Sequence, residues 1–174
     1  MSDLSSYIIP LKSIISYTTK YDYELGEPFF LHFVSSEGDI QGGAIVASVL
    51  VKKLTHSFEL SIELKGFVSV MCDRCLDMMD IDIETESSLI VKFGDEYNDV
   101  DDKLIIIPEK EGIINIAWYL YECLVLSIPI QHIHPKGKCN KEMEQKLQTY
   151  STDRIEKPNE DRDSRWDVLK DFKQ

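Results

Sequence analysis

Hydrophobic and polar residues alternate more regularly over residues 56–93 than anywhere else in the chain. Phe58, Leu60, Ile62, Leu64, Val68, Val70 and Cys72 share one parity, while Ser57, Glu59, Ser61, Glu63, Lys65 and Ser69 take the other. Past Cys75 the alternation resumes. Met79, Ile81, Ile83, Leu89, Val91 and Phe93 fall on one side, and Asp80, Asp82, Glu84, Glu86 and Lys92 on the other. A period of two gives each strand one buried and one wet face. Two such runs joined by the tight Cys72-Asp73-Arg74-Cys75 segment predict a long β-hairpin with both cysteines at its tip.

The same reading extends outward in both directions. Tyr7-Ile8-Ile9 ahead of Pro10 predicts an edge strand, where proline is tolerated. Residues 21–25 and 29–34 read as strands around the turn composition Gly26-Glu27-Pro28, residues 35–43 as a polar loop, and residues 44–54 as another strand. Residues 94–102 carry Asp95, Glu96, Asp99, Asp101 and Asp102. They lack the central glycine and closing glutamate of a calcium loop, so a solvated loop is expected. Residues 104–107 form a short apolar strand stopped by Pro108. The sum is an α+β fold, mostly an antiparallel meander of five to seven strands with barrel-like character, one buried helix and a short helical C-terminal segment.

That buried helix is expected over residues 116–126, capped by Asn115 and ended before Pro129. It is apolar nearly all round and should pack across the sheet. Cys123 within it reads as a buried, inert small hydrophobe, and Glu122 is its odd polar member. Residues 140–150 have helical composition, residues 151–164 read as a polar linker, and Trp166, Leu169 and Phe172 lie on one side of a short helix near the end. So few residues do not hold a helix alone, so this segment is a partner-docking peptide or a clasp on the body. The domain expectation is a β-rich unit over 1–150 and a linker with its terminal helix over 151–174.

Charge changes the picture more than composition does. At 43% hydrophobic residues the chain has material for a core, and its formal net charge is −12. Residues 1–135 hold 9 basic and 22 acidic side chains, a net of −13, whereas residues 136–174 hold 10 basic and 9 acidic, a net of +1. Such a body repels phosphate backbones and attracts basic partners, or it simply keeps the protein in solution. No run of about 18 apolar residues suggests a membrane span. The opening Met1-Ser2-Asp3-Leu4 shows no basic leader before an apolar stretch. Four irregularly spaced cysteines without a leader fit a reducing compartment, so a cytoplasmic location is expected.

Candidate chemistry centres on the cysteines. A C-x2-C turn is half of a zinc site, and the compact second half is His134-x4-Cys139, with His132 as an alternative histidine. The set Cys72, Cys75, His134 and Cys139 would be a closed, structural zinc site, set against a reading in which the thiols are free and buried. A redox pair is disfavoured because a strand, not a helix N-terminus, follows Cys75. The sequence has no G-x-S-x-G, phosphate loop or H-E-x-x-H, so no catalytic residue and no enzyme is expected. Tyr17, Tyr21, Tyr23, Phe29, Phe30 and Phe33 lack surrounding basic residues and read as core and edge aromatics.

Taken together, Cys72-Asp73-Arg74-Cys75-Leu76 between two strands, the apolar helix running into Leu126-Ser127-Ile128-Pro129, His134-x4-Cys139, and the terminal Arg165-Trp166-Asp167-Val168-Leu169-Lys170 make a recognisable combination. It resembles the YceD family, the large ribosomal RNA subunit accumulation proteins of bacteria and plastids, from about Leu50 to the end. The resemblance implies a non-enzymatic factor needed for accumulation of 23S rRNA and for large-subunit assembly. With the charge distribution it leads to the expectation that the acidic body holds a basic ribosomal protein or assembly factor, touching rRNA only indirectly. Trp166, Leu169 and Phe172 would then serve as a docking element. The competing readings are a zinc-dependent or thiol-redox enzyme using Cys72 and Cys75, and a direct RNA binder.

Overall fold

The computed structural model describes residues 4–33, 40–101 and 103–151. The chain forms two compact units, Met1–Cys139 and Asn140–Gln174. In the first, a short strand β1 (Ile8–Ile9) leads to β2 (Thr18–Leu25), a one-turn helix α1 (Glu27–Phe30), and the three long strands β3 (Ile40–Lys53), β4 (Phe58–Met71) and β5 (Met78–Gly94). Then come β6 (Asn98–Asp101), β7 (Leu104–Pro108), β8 (Ile114–Asn115) and helix α2 (Ala117–Ser127). The second unit contains α3 (Lys141–Tyr150), whose first turn is capped by the Asn140 side chain accepting from Glu142 N at 3.0 Å and Met143 N at 3.5 Å.

Six strands make one open sheet in the order β2-β3-β4-β5-β7-β6, and β1 pairs separately with β8. The α+β class holds and the sheet does not close into a barrel. The expected hairpin is its centre. Leu60 stands opposite Leu89, Phe58 opposite Val91, and Val68 opposite Ile81. The parity read from the sequence is kept along both arms, with Phe58, Leu60, Ile62, Leu64, Val68, Val70 and Cys72 all buried. Gly66 takes the inward parity between Leu64 and Val68 at φ 147°, and a Cβ there would run into the Ala44 carbonyl oxygen. Strands β3 and β4 therefore approach more closely at this point than a side chain would permit.

Several expectations are corrected. The described part of the strand expected over residues 29–34, residues 29–33, is helix and turn. Pro28 sits in the first turn of α1, where its missing N–H costs nothing, and the helix buries Phe29 and Phe30. The acidic segment is not simply a loop, because Asn98–Asp101 forms β6, a rim strand exposed at every position. The meander is not wholly antiparallel either. Ile105 and Ile107 are buried, so β7 takes the inner position parallel to β5 while wet β6 is left outside it. Lastly, α2 buries only Ala117, Leu120 and Leu124 fully; Trp118 and Leu126 are 59% and 79% exposed, and Cys123 is half-buried. The N-cap position of this helix is Ile116, not the expected Asn115; Asn115 lies one residue ahead of it, its Oδ1 accepting from Ala117 N–H at 3.0 Å.

The core lies on one face of the sheet, under α1, α2 and the N-terminal segment. Of the six aromatics expected at core and edge, Phe29 and Phe30 are buried there, Tyr21, Tyr23 and Phe33 pack partly buried against the core, and Tyr17 is exposed. Tyr7 meets Tyr23 at 5.4 Å and Phe29 at 5.2 Å between ring centroids, and Phe33 stacks on Tyr121 at 4.5 Å. Among the described residues no helix is long and apolar enough to cross a membrane.

Candidate metal centre

The inward parity of β4 ends on Cys72, which places its thiol on the buried side of the sheet. The turn that follows is closed by Leu76 N–H donating to Cys72 O at 2.9 Å and Cys72 N–H donating to Asp77 O at 2.9 Å. Leu76 adopts φ 63°, the one positive φ at a non-glycine among the described residues. That conformation costs about 1–3 kcal/mol and persists only where its surroundings impose it. Here the turn leaves Cys75 buried beside Cys72 while Leu76 itself points to solvent.

The second half arrives from the segment after α2. Lys138 N–H donates to Pro135 O at 3.0 Å, and Gly137 takes φ 79° at the third position of this turn. Only glycine adopts that conformation without strain, and the reversal brings Cys139 back beside His134. The two halves are tied at Asp73, whose N–H donates to His132 O at 3.0 Å and whose Oδ2 accepts from His132 N at 2.8 Å. The His132 ring completes the tie, with Nε2 3.5 Å from Asp73 Oδ1 and Nδ1 3.2 Å from Pro129 O.

Cys72, Cys75, His134 and Cys139 thereby converge, with their ligand atoms all within 4.8 Å of one another. His134 Nδ1 lies 3.3 Å from Cys75 Sγ, and His134 N–H donates to Cys72 Sγ at 3.4 Å. Ligands on a tetrahedral zinc with Zn–S bonds of about 2.3 Å stand roughly 3.8 Å apart, so the spacing fits one small tetrahedral ion. The three thiols are buried and no disulfide joins them. Burial pushes the Cys72 thiol up, but the N–H groups of His134, Cys75 and Arg74 outweigh it and hold it down to about 6. Cys139 is raised to about 11 by burial and by hydrogen bonding to Cys75 and Cys72, and His134 is raised by hydrogen bonding to Cys72 and Cys75. Three sulfurs this close resist sharing negative charge unless a cation lies among them. The donor set, three thiols and one imidazole, suits a soft dication in a closed site.

All four residues proposed from the sequence meet here. His132, the alternative histidine, does not join them; it braces the tip through Asp73. That brace was missed by sequence reasoning, and the one available signal was a carboxylate placed inside the C-x2-C turn itself. Cys123 stands apart from the cluster, its thiol raised by burial. Glu122 is exposed and, with Tyr119, Cys123, Leu126 and Lys103, lines a cavity of about 450 Å³ beside α2. Trp166, Leu169 and Phe172 lie outside the described residues.

The family model described as "Large ribosomal RNA subunit accumulation protein YceD" matches residues 60–173, more than half of the chain, and the match contains the whole cluster. No curated protein and no solved structure matches the chain.

Proposed function

The chain belongs to the YceD family of large ribosomal RNA subunit accumulation proteins, and on that premise we propose that it acts as a non-enzymatic factor supporting 23S rRNA accumulation and large-subunit assembly in the cytoplasm. The observation that carries this reading is the extent of the family match, which takes in the hairpin tip, α2 and the segment that meets them. Cys72, Cys75 and Cys139 as thiolates and His134 as a neutral imidazole would hold a structural zinc ion. When bound, the ion supplies a fixed tie between the hairpin tip and residues 134–139, and four protein ligands leave no position for substrate.

The enzyme reading is weaker because the low-pKa thiol is 0% exposed, whereas reactive cysteines are partly open to their substrates. Direct RNA binding is opposed by the net charge of −13 over residues 1–135. The same charge favours a basic ribosomal protein or assembly factor as the direct partner. Trp166, Leu169 and Phe172 would anchor it.

Two measurements test this. Depleting the protein is expected to lower the ratio of 23S to 16S rRNA, with rescue by the intact chain. Capture of the protein from cells followed by ribonuclease is expected to retain a basic protein. RNA that stays bound after every protein partner has been removed would overturn the partner assignment.

A further inference from the structure

Strand β5 has a long edge that no described strand covers. On one side it pairs with β4 without a break from Met78 to Val91. On the other, β7 reaches it only from Ile90 to Gly94, so among the described residues positions 78–89 have no backbone partner there. The paired part shows which groups are free. Ile90 N–H donates to Lys103 O at 2.7 Å, and Gly94 O accepts from Glu109 N at 2.9 Å. Even-numbered residues therefore turn their N–H and C=O away from β4, and alternation carries this to Asp80, Asp82, Glu84, Glu86 and Ser88.

The same residues face away from the core, and Asp80, Asp82, Glu84 and Glu86 are all exposed. Asp80 accepts from Ser69 Oγ at 2.6 Å, and Glu84 lies 3.3 Å from Lys65 Nζ. Asp82 and Glu86 make no ion pair within 4.0 Å among the described residues; their β4 neighbours are Phe67 and Glu63, and Glu86 lines an open groove with Lys20 and Lys103. On the opposite face the half-buried Met79 and Ile81 present apolar surface at the rim. The outer strand β2 differs. Its Lys20 and Asp22 pair at 2.9 Å, and Ser48 donates to Asp22 at 2.6 Å, so two of its three charged side chains are partnered within the sheet and Glu24 alone is left, exposed at its end.

A bare edge is a template for another strand, and the side chains beside it decide which. A second copy of β5 would set carboxylate against carboxylate, which is unfavourable for directly opposed residues. A strand with Lys or Arg at alternate positions sets opposite charges together and brings its intervening apolar residues onto Met79 and Ile81. We propose that the free edge of β5 over residues 80–88 takes an extended basic segment of the partner protein as an added strand. This rests on the reading of the acidic body as the holder of a basic protein, and it assigns the place and the mode of binding.

The test uses the full-length, zinc-loaded protein and a short synthetic peptide of alternating lysine and valine, followed by amide hydrogen exchange. In the free protein the amides of Asp80, Asp82, Glu84 and Glu86 exchange fast, and those of Ile81, Ile83 and Thr85 exchange slowly. Peptide binding slows the even-numbered set and leaves the odd set as it was. The double variant Asp82→Lys/Glu86→Lys weakens the peptide by roughly tenfold or more with zinc content and melting temperature unchanged. Binding that leaves the even amides fast, or that is indifferent to the double variant, overturns the edge site while a basic partner remains. If neither this peptide nor the basic proteins of the large subunit bind, and RNA does, the partner reading falls and the edge site with it.

Discussion

At its base the β4–β5 hairpin is held by area: Phe58, Leu60, Leu89 and Val91 lie buried in one continuous core with Ile105, Leu120 and Leu124. At its tip the turn is flanked by Met71, Leu76 and Met78, each roughly half exposed or more, and the fixed points are four side chains and the Asp73–His132 brace. Burial at about 25 cal/mol per Å² stabilises the base without any single decisive contact. The tip has too little apolar area for that and depends on a few directed bonds to a segment some sixty positions away in sequence. The two ends should therefore fail independently and under different insults.

The largest expected effect is loss of the metal, since structural zinc is worth about 10 kcal/mol or more in favourable small sites. Chelation, or Cys72→Ser, is expected to release the amides of Asp73, Leu76 and His134 to hydrogen exchange while those of Leu64 and Leu89 stay protected. Loss of protection over the whole sheet would show that the ion organises the base as well. No change at the tip would show that the thiols pack without it. The converse change is Leu120→Ala, which removes a 0% exposed side chain from the base. It should cost about 2–5 kcal/mol in denaturant unfolding and leave one zinc per chain. A fall in zinc stoichiometry with Leu120→Ala would mean the ends are coupled after all.

The two ends also differ in how far the sequence reveals them. Period-two alternation gives the hairpin, its register of buried residues and the cysteines at its tip, because parity alone decides which face is wet. The convergence of His134 and Cys139 on that tip follows from donor chemistry, since few other soft ligands exist in the chain. The parallel placement of β7 is not legible, because it depends on competition between an apolar and an acidic strand for one inner position. The exposed side of α2 escapes for a related reason. Its composition is apolar all round, and only the sheet's curvature and extent determine that Leu120 is covered and Leu126 is not. The open edge of β5 is likewise invisible until the point where β7 stops is known.

A smaller effect separates the directed bonds at the tip from the ion itself. Asp73→Ala removes the acceptor for His132 N–H and the charge beside the His132 ring but no metal ligand. Lost partners of this kind cost about 1–3 kcal/mol, and residues that brace a metal site typically shift affinity ten- to a hundredfold. Faster zinc transfer to a chelator, with the denaturant midpoint of the base unmoved, is the expected result. Unaltered transfer kinetics would reduce the brace to a bystander.

The smallest effect expected lies at the packed end and appears only in alkali. Burial, then the neighbouring Tyr21 and Tyr7 rings, pushes the Tyr23 hydroxyl from 10.0 up to about 12. Below pH about 10 the phenol is protonated in both folded and unfolded chains, so the difference contributes its full share of stability. Between about 10 and 12 the unfolded chain releases a proton that the folded one keeps, and stability falls as pH rises; above that range both are ionised and the contribution is gone. Tyr23 is only partly buried, so the loss is modest. Tyr23→Phe should flatten stability against pH over this window, read from denaturant midpoints, while exchange at the tip amides follows the same pH course as in the unaltered protein. An equally steep alkaline loss in Tyr23→Phe would move the cause to another group and leave the packed end without a titrating member at Tyr23.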